Sequence, residues 1–375
     1  MTESCILNGN ELSPATHAGL QPRDEAEAAA LDFCREWFSP GETMQLHTSG
    51  STGKPKTICA TKAAMRASAR RSCEFFGLTH GSTAVLPLPL DYIAGKMMMV
   101  RALVAGLDLR VVHPTSEIFD KLDTLPPSHH HPDFMPVVPM QIQRILPRPD
   151  AAALLSRVRC LLIGGAFIDV AIEQVLADLP TRAYVSYGMT ETLSHIALRR
   201  INGPQRSDLY TPLRGISTSL SESGTLTISV PDQSIDQLIT NDLAELLPDG
   251  RFRILGRIDA VINSGGIKIQ AEKLERQLKQ ATGLTAVAVG TPHPLLGECV
   301  TLLWESTHPE TERERIGQIC ATLPPYERPK RLIAAGELPR TSSGKIARAA
   351  CRELALQKLS TPEPRIPPSA IRPPG

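Results

Sequence analysis

Residues 61–188 alternate between two hydrophobic periods, and that alternation restricts the fold more than any other property of the chain. Apolar residues at helical spacing cover 61–76, give way to a short strand pattern at Thr83–Pro87, and return to helical spacing in KMMMVRALVAGL (96–107). LRVVHP (109–114) and VRCLLIGGA (158–166) then read as strands, the second ending in a glycine turn, and a helical segment at 169–178 leads to the strand RAYVSYG (182–188). Strands separated by helices of this length indicate a layered α/β domain with a largely parallel sheet. An Ala- and Glu-rich helical segment at 21–38, ending in DFCREWF, delivers the chain into a polar loop at 46–58.

The texture changes near residue 213. GTLTISV (224–230), LITND (238–242) and RFRILGR (251–257) are short β-like segments, suited to a small subdomain that is partly antiparallel or barrel-like. Beyond Asp259 come a hairpin-like INSGGIKI (262–269), a charged helix from Ala271, the strands TAVAVG (285–290) and TLLW (301–304), and a helix at 309–320. Together they make a compact α+β unit. The expected domains are therefore 1–258 and 259–361, with a hinge at Asp259. The 14 residues of 362–375, PEPRIPPSAIRPPG, hold six prolines and little to bury, and a mobile tail is expected there.

Charge excludes some partners. The chain carries 40 Lys and Arg against 39 Asp and Glu, with no long basic block, so neither nucleic acid nor a membrane surface is indicated and a small-molecule substrate is. Eight cysteines lie scattered without CxxC spacing and without an apolar N-terminal signal, which reads as reduced thiols in a cytoplasmic protein. Apolar stretches are interrupted too soon to span a bilayer, so no membrane insertion is expected. TLPPSHHHPDF (124–134) contains three adjacent histidines, but no carboxylate or cysteine stands at ligand spacing and a solvated loop is expected.

The polar loop LHTSGSTGKPKTI (46–58) collects backbone N–H groups, hydroxyls and a lysine that can converge on an anion. It is not a Walker A loop: Thr48 stands at the first glycine position and Pro55 follows Lys54. No GxGxxG opens a helix either. On these residues alone an anion-binding loop and a well-made turn both remain open.

Further motifs decide between them. TSGSTGKPK (48–56) resembles the phosphate-binding signature of the adenylate-forming enzymes, the superfamily of acyl-CoA synthetases, peptide-synthetase adenylation domains and luciferases. GGA (164–166), YGMTET (187–192), ITNDLAEL (239–246) with GRIDAVINSGGIKI (256–269), and PRTSSGKI (339–346) resemble its other motifs in the same order. The resemblance implies a large N-terminal α/β domain, here N-terminally truncated and carrying a small β subdomain, followed by a mobile α+β C-terminal domain. It also implies ATP, Mg²⁺ and CoA: a carboxylate attacks the α-phosphate, pyrophosphate leaves, and the CoA thiol then displaces AMP.

By that resemblance Thr48, Ser49, Gly50, Ser51, Thr52, Gly53 and Lys54 cradle the β and γ phosphates, and Lys56 falls at the second lysine position. Glu191 helps hold Mg²⁺ and Thr190 touches the α-phosphate, roles that suit a carboxylate and a hydroxyl; Glu191 read alone is equally a helix cap. Gly164, Gly165 and Ala166 let adenine approach the backbone, and Tyr187 stacks on the base, with Gly188 and Met189 beside it; a core tyrosine is the alternative. Asp242 and Arg257 reach the ribose. Lys345 stabilises the charge of the adenylation step. Rotation about Asp259 then brings Ser264, Gly265 and Gly266 to line a channel for the pantetheine thiol.

Only 47 residues precede Thr48, fewer than is typical of the superfamily, which implies a specialised short branch. PLDYIAGKMMMVRAL (89–103) and MTETLSHIALR (189–199) resemble the short o-succinylbenzoate:CoA ligases of menaquinone biosynthesis. Tyr92, Lys96, Ser194 and His195 are then the candidates around the acid, with a solvated helix face as the alternative for Lys96. A CoA ligase for another acid, a stand-alone enzyme loading a carrier protein, and a nucleotide-sensing module are the other readings. Lys345, Glu191, Asp242 and Arg257 together weigh against the last. Oligomeric state, a homodimer included, is open at this level.

Overall fold

The computed structural model describes residues 3–47, 57–115, 117–165, 168, 170–306, 308–341 and 346–360. The expected phosphate loop (Thr48, Ser49, Gly50, Ser51, Thr52, Gly53, Lys54, with Lys56), Ala166, Lys345 and the tail 362–375 lie outside the described residues. The chain divides into two compact units, Met1–Ile254 and Leu255–Gly375.

In the first unit helices begin where caps permit. Asp24 accepts from the Glu27 N–H at 2.8 Å while the Glu27 carboxylate reaches back to the Arg23 N–H at 2.9 Å, starting the Glu25–Phe38 helix with a reciprocal cap. Thr61 caps Lys62–Phe76 by a single bond, accepting from the Ala64 N–H at 3.1 Å. Ile93–Ala105 is different: Met97 to Leu103 is buried without a break, so this helix is a core element and not a surface one.

Two mixed sheets organise the α/β part. One orders Asn10–Leu12, Cys5–Leu7, Asp108–Val111 and Thr83–Leu86, parallel except for the first pair. The other orders Met135–Val137, Cys160–Ile163 and Arg182–Gly188 in parallel, then adds His195–Arg200 and Thr211–Pro212 antiparallel. A parallel bridge, Ala84 to Phe134, links the two sheets. Each has its own apolar core, the first built on Trp37, Phe76 and the methionines Met97 to Met99, the second on Ile118, Val137, Ile163 and Ile172. The β subdomain is an antiparallel sheet, Ser217–Leu220, Thr225–Val230, Ile235–Leu246 and Phe252–Arg257, whose order runs in sequence.

Two expectations are corrected. The 46–58 segment is not loop throughout: Thr43–His47 and Thr57–Thr61 pair as antiparallel strands with His47 opposite Thr57. The histidine-rich segment is not simply solvated either. His129 is 0% exposed, and its Nε2 lies 3.0 Å from the Asp108 carbonyl. The Pro127–His129 turn carries it inward.

The second unit is an α+β sandwich. Its sheet orders Ile267–Gln270, Val261–Ser264, Gly297–Glu305 and Ala286–His293, with Arg331–Ala335 parallel to Gly297–Glu305. Leu274 and Leu278 of the Ala271–Thr282 helix pack with Trp304 on one face, while Cys351 and Ala355 of the Arg348–Ser360 helix pack with Leu303 on the other.

Candidate active site

The ends of the glycine- and hydroxyl-rich loop are fixed by the hairpin just described, so residues 48–56 connect two paired strands. Gly164 and Gly165 follow the Cys160–Ile163 strand at its C-terminal end, where open parallel sheets collect ligands. A Cβ on Gly164 would stand 2.7 Å from the Ser186 Oγ and would push that hydroxyl aside.

The YGMTET motif forms a tight turn between Arg182–Gly188 and His195–Arg200. Gly188 pairs with His195, and a Cβ at 188 would stand 2.2 Å from the Ser194 carbonyl oxygen and 2.6 Å from the His195 Cα. Only glycine fits there. Thr192, fully buried, closes the turn: its Oγ1 accepts from the Met189 N–H at 3.0 Å and lies 2.8 Å from the Ser194 carbonyl. Thr190 is half-buried, and Glu191 is exposed and makes no ion pair among the described residues. No cluster of three or more metal-ligating side chains occurs among the described residues. One free carboxylate on a turn suits Mg²⁺, which takes one or two protein carboxylates and completes its shell with water and phosphate oxygens.

On one side of this turn Tyr187 donates from its hydroxyl to the Asp242 carboxylate at 2.6 Å. Burial, and then the Asp242 charge and hydrogen bond, raise the phenol above its ordinary range, so it stays protonated as the donor. The ring leans on Phe252 at 5.3 Å and Tyr210 at 5.7 Å, which fixes its plane. The expected base-stacking and ribose-binding groups thus touch each other.

On the other side lie Ser194 and His195, and the structure adds residues that sequence reasoning missed. Arg101, 2% exposed, donates from Nε to the Ser72 Oγ at 2.8 Å and from Nη2 to the Ser194 Oγ at 2.6 Å. Ser72 Oγ and His195 Nε2 are 3.1 Å apart, and Ser194 Oγ and His195 Nδ1 3.3 Å. Arg101 forms no ion pair with any carboxylate among the described residues. Arg71 nearby does, meeting Asp232 at 3.1 Å. Burial first, then Arg101 and Arg71, hold the His195 imidazole well below its ordinary pKa, and it is neutral at pH 7. The available signal was one arginine inside the buried run MMMVRAL. Tyr92 occupies the N-cap position of the Ile93–Ala105 helix without a side-chain cap bond and is 41% exposed, with Lys96 half-buried one turn along.

The remaining candidates belong to the second unit. Arg257 makes a bidentate pair with Asp259, at 2.8 and 2.6 Å, which holds the Asp259 carboxyl below its usual range. Ser264 is buried at the end of its strand, and Gly265 and Gly266 turn the hairpin with φ of +61° and +85°. Positive φ at both positions is the two-residue turn that matches strand twist and selects Gly-Gly. The lysine loop is closed at its base by the Arg340–Ile346 bridge and by the Ala347 N–H bonded to the Pro339 carbonyl at 2.8 Å. Arg348 anchors the following helix to Glu275 at 2.5 and 2.9 Å.

The Gly188 turn, with the Tyr187–Asp242 pair on one face and Ser194 and His195 on the other, at the end of a largely parallel sheet, is a ligand site of the α/β enzyme class. Residues 16–226 match the AMP-binding enzyme family, and the chain belongs to it. Its similarities run to the acyl-CoA synthetase branch. It is 35% identical to a solved acyl-CoA synthetase (AMP-forming)/AMP-acid ligase II-like protein from Dyadobacter fermentans, covering 93% of this chain and 99% of that one, with a TM-score of 0.61. A 2-succinylbenzoate–CoA ligase from Listeria monocytogenes is 27% identical over 364 residues, 90% of this chain and 75% of that ligase. The fold is also that of O-succinylbenzoate coenzyme A synthetase from Bacillus subtilis, solved with ATP and magnesium: TM-score 0.67, 22% identity, 81% of this chain and 68% of that one.

Proposed function

We propose that this protein is an ATP-dependent acid:CoA ligase that activates o-succinylbenzoate as its acyl-adenylate and transfers the acyl group to CoA. The observation that carries the reading is the Gly188 turn, which presents the Tyr187–Asp242 pair on one side and Ser194 with His195 on the other. A nucleotide and an acid held on those sides meet at Thr190 and Glu191. The choice of acid rests on the resemblance to 2-succinylbenzoate–CoA ligases.

In the first step the acid's carboxylate oxygen bonds to the α-phosphorus of ATP and the bond to pyrophosphate breaks. Asp242 accepts from ribose hydroxyls and Tyr187 offers its ring to the base while its hydroxyl keeps Asp242 in place. Thr190 donates to an α-phosphate oxygen, and residues 48–54 with Lys56 neutralise the leaving pyrophosphate. Glu191 is the protein ligand for Mg²⁺, which when bound supplies charge neutralisation at the phosphates. Lys345 stabilises the negative charge shared between acid and phosphate. In the second step the CoA sulfur bonds to the acyl carbon and AMP departs. Asp259 is the hinge for this exchange, and Ser264 to Gly266 line the thiol's path. Arg257 serves the ribose.

All eight cysteines are free thiols, which supports a reducing, cytoplasmic setting, and no helix among the described residues is long and apolar enough to cross a membrane. The test is acid-dependent pyrophosphate release from MgATP with a CoA-dependent thioester product. Adenylation without transfer to free CoA would replace this reading with that of a carrier-protein loading enzyme.

A further inference from the structure

The turn that presents Thr190 and Glu191 contains a residue whose backbone resists it. Leu193 has φ of +62°, in the left-handed region where a bulky side chain is an outlier. Its side chain is buried in the first apolar core, so apolar burial offsets the strain without relieving it. A backbone held this way persists only when its surroundings fix it. The peptide unit concerned joins Thr192 to Leu193. On one side its N–H donates to the Thr190 carbonyl at 2.9 Å, so the orientation of this peptide sets the position of Thr190.

The other side of that peptide is held from the β subdomain. The Pro231–Gln233 turn follows the Thr225–Val230 strand and lies against the Lys62–Phe76 helix, where the Asp232 carboxylate accepts from Arg71 Nη1 at 3.2 Å and from Nη2 at 3.1 Å. Arg71 is buried in this pairing. The half-buried Gln233 side chain stands between Arg71 Nη2 and the Thr192 carbonyl, 3.2 Å from each. A guanidinium only donates and a carbonyl only accepts, so one amide orientation satisfies both: the Gln233 oxygen accepts from Arg71 and its NH₂ donates to Thr192. Both polar groups of the Thr192–Leu193 peptide are thereby engaged.

We infer that Gln233, anchored by the Arg71–Asp232 pair, is a positioning residue that locks the Thr192–Leu193 peptide in its strained orientation and so fixes the Thr190–Glu191 segment for adenylation. The inference rests on the acid:CoA ligase reading for what Thr190 and Glu191 do, and on the contacts alone for the lock. Rotating the peptide would take Leu193 out of the left-handed region and break its bond to Thr190; the Gln233 donor opposes that rotation. Because Thr190 and Glu191 are assigned to the α-phosphate and Mg²⁺, the signature belongs to kcat and to the magnesium requirement, and not to the KM of the acid.

The test compares the wild type with Gln233→Glu and Gln233→Leu. Glutamate keeps the shape and the acceptor for Arg71 but cannot donate to Thr192; leucine removes both contacts. Two readouts are taken: amide hydrogen exchange of the segment 188–195, which contains the Leu193 N–H, and acid-dependent pyrophosphate release from MgATP across a magnesium titration. Both variants should exchange the Leu193 amide about 3- to 10-fold faster and lose a similar factor in kcat, with a higher magnesium requirement and less than about a twofold change in the KM of the acid. Gln233→Glu should be as impaired as Gln233→Leu, and it carries the test should Gln233→Leu not fold. A role confined to accepting from Arg71 predicts the opposite, a Gln233→Glu protein that behaves as wild type, and that result would overturn the inference. So would unchanged exchange at Leu193, or a loss confined to the KM of the acid. A wild type that releases no pyrophosphate from any acid would remove the ligase reading instead; faster Leu193 exchange in Gln233→Glu would then keep the lock, and unchanged exchange would discard it.

Discussion

Replacing His195 by glutamine should flatten the acid limb of the stability profile. His195 is 7% exposed, hydrogen-bonded within the Arg101 ring, and held below its ordinary pKa of 6.5 by burial, Arg101 and Arg71. The unfolded chain takes up a proton near pH 6.5 that the folded protein refuses. Stability is therefore independent of this residue above that pH and falls as the pH drops below it, with a limiting slope of about 1.4 kcal/mol per pH unit. From pH 7.5 to 5.5 a site that stays neutral loses about 1.4 kcal/mol in total, or roughly 3–6 °C in Tm for a unit of this size. Urea unfolding followed by tryptophan fluorescence at pH 7.5, 6.5 and 5.5 measures the loss, and the wild-type-minus-variant difference isolates one of ten histidines. Identical slopes in His195→Gln and wild type would refute the reasoning, and with it the neutral imidazole.

Other outcomes follow from other parts of the molecule. Lys345→Ala should lower adenylate formation by about 10²- to 10³-fold while transfer from a supplied acyl-adenylate to CoA is much less affected; equal loss of both half-reactions contradicts the assignment. Gly188→Ala forces a Cβ to within 2.2 Å of the Ser194 carbonyl, and should cost about 1–3 kcal/mol in urea unfolding and raise KM for both ATP and acid. Tyr187→Phe removes the 2.6 Å bond to Asp242 and should destabilise the first unit by about 1.5–3 kcal/mol, an effect that vanishes if the pair is incidental. Asp259→Pro should impair thioester formation more than adenylation, and survival of the second half-reaction unchanged would move the hinge elsewhere.

The helices and buried strands of the α/β part were legible because their periodicity extends over enough residues. Lys62–Phe76 and Arg182–Gly188 lie within a residue or so of where the pattern put them. Three-residue strands such as Cys5–Leu7 and Asn10–Leu12 carry too few positions for alternation to show, and Cys5–Leu7 joins the sheet through a strand a hundred residues away. The Arg348–Ser360 helix escaped because its buried stripe is only Cys351 and Ala355. The site divides the same way. Gly188 and the Gly265–Gly266 turn sit inside contiguous motifs, whereas the Arg101 ring joins helices and a strand through contacts such as Ser72 to His195, 123 positions apart, and non-local pairing of that kind leaves no spacing to read.

The most direct test is a coupled assay on the purified protein with MgATP and a panel of o-succinylbenzoate, benzoate, a medium-chain fatty acid and an amino acid, scored for pyrophosphate with and without CoA. Acid-dependent pyrophosphate strongest for o-succinylbenzoate, with a thioester appearing only when CoA is present, is the predicted result. Pyrophosphate release from none of the acids would contradict it.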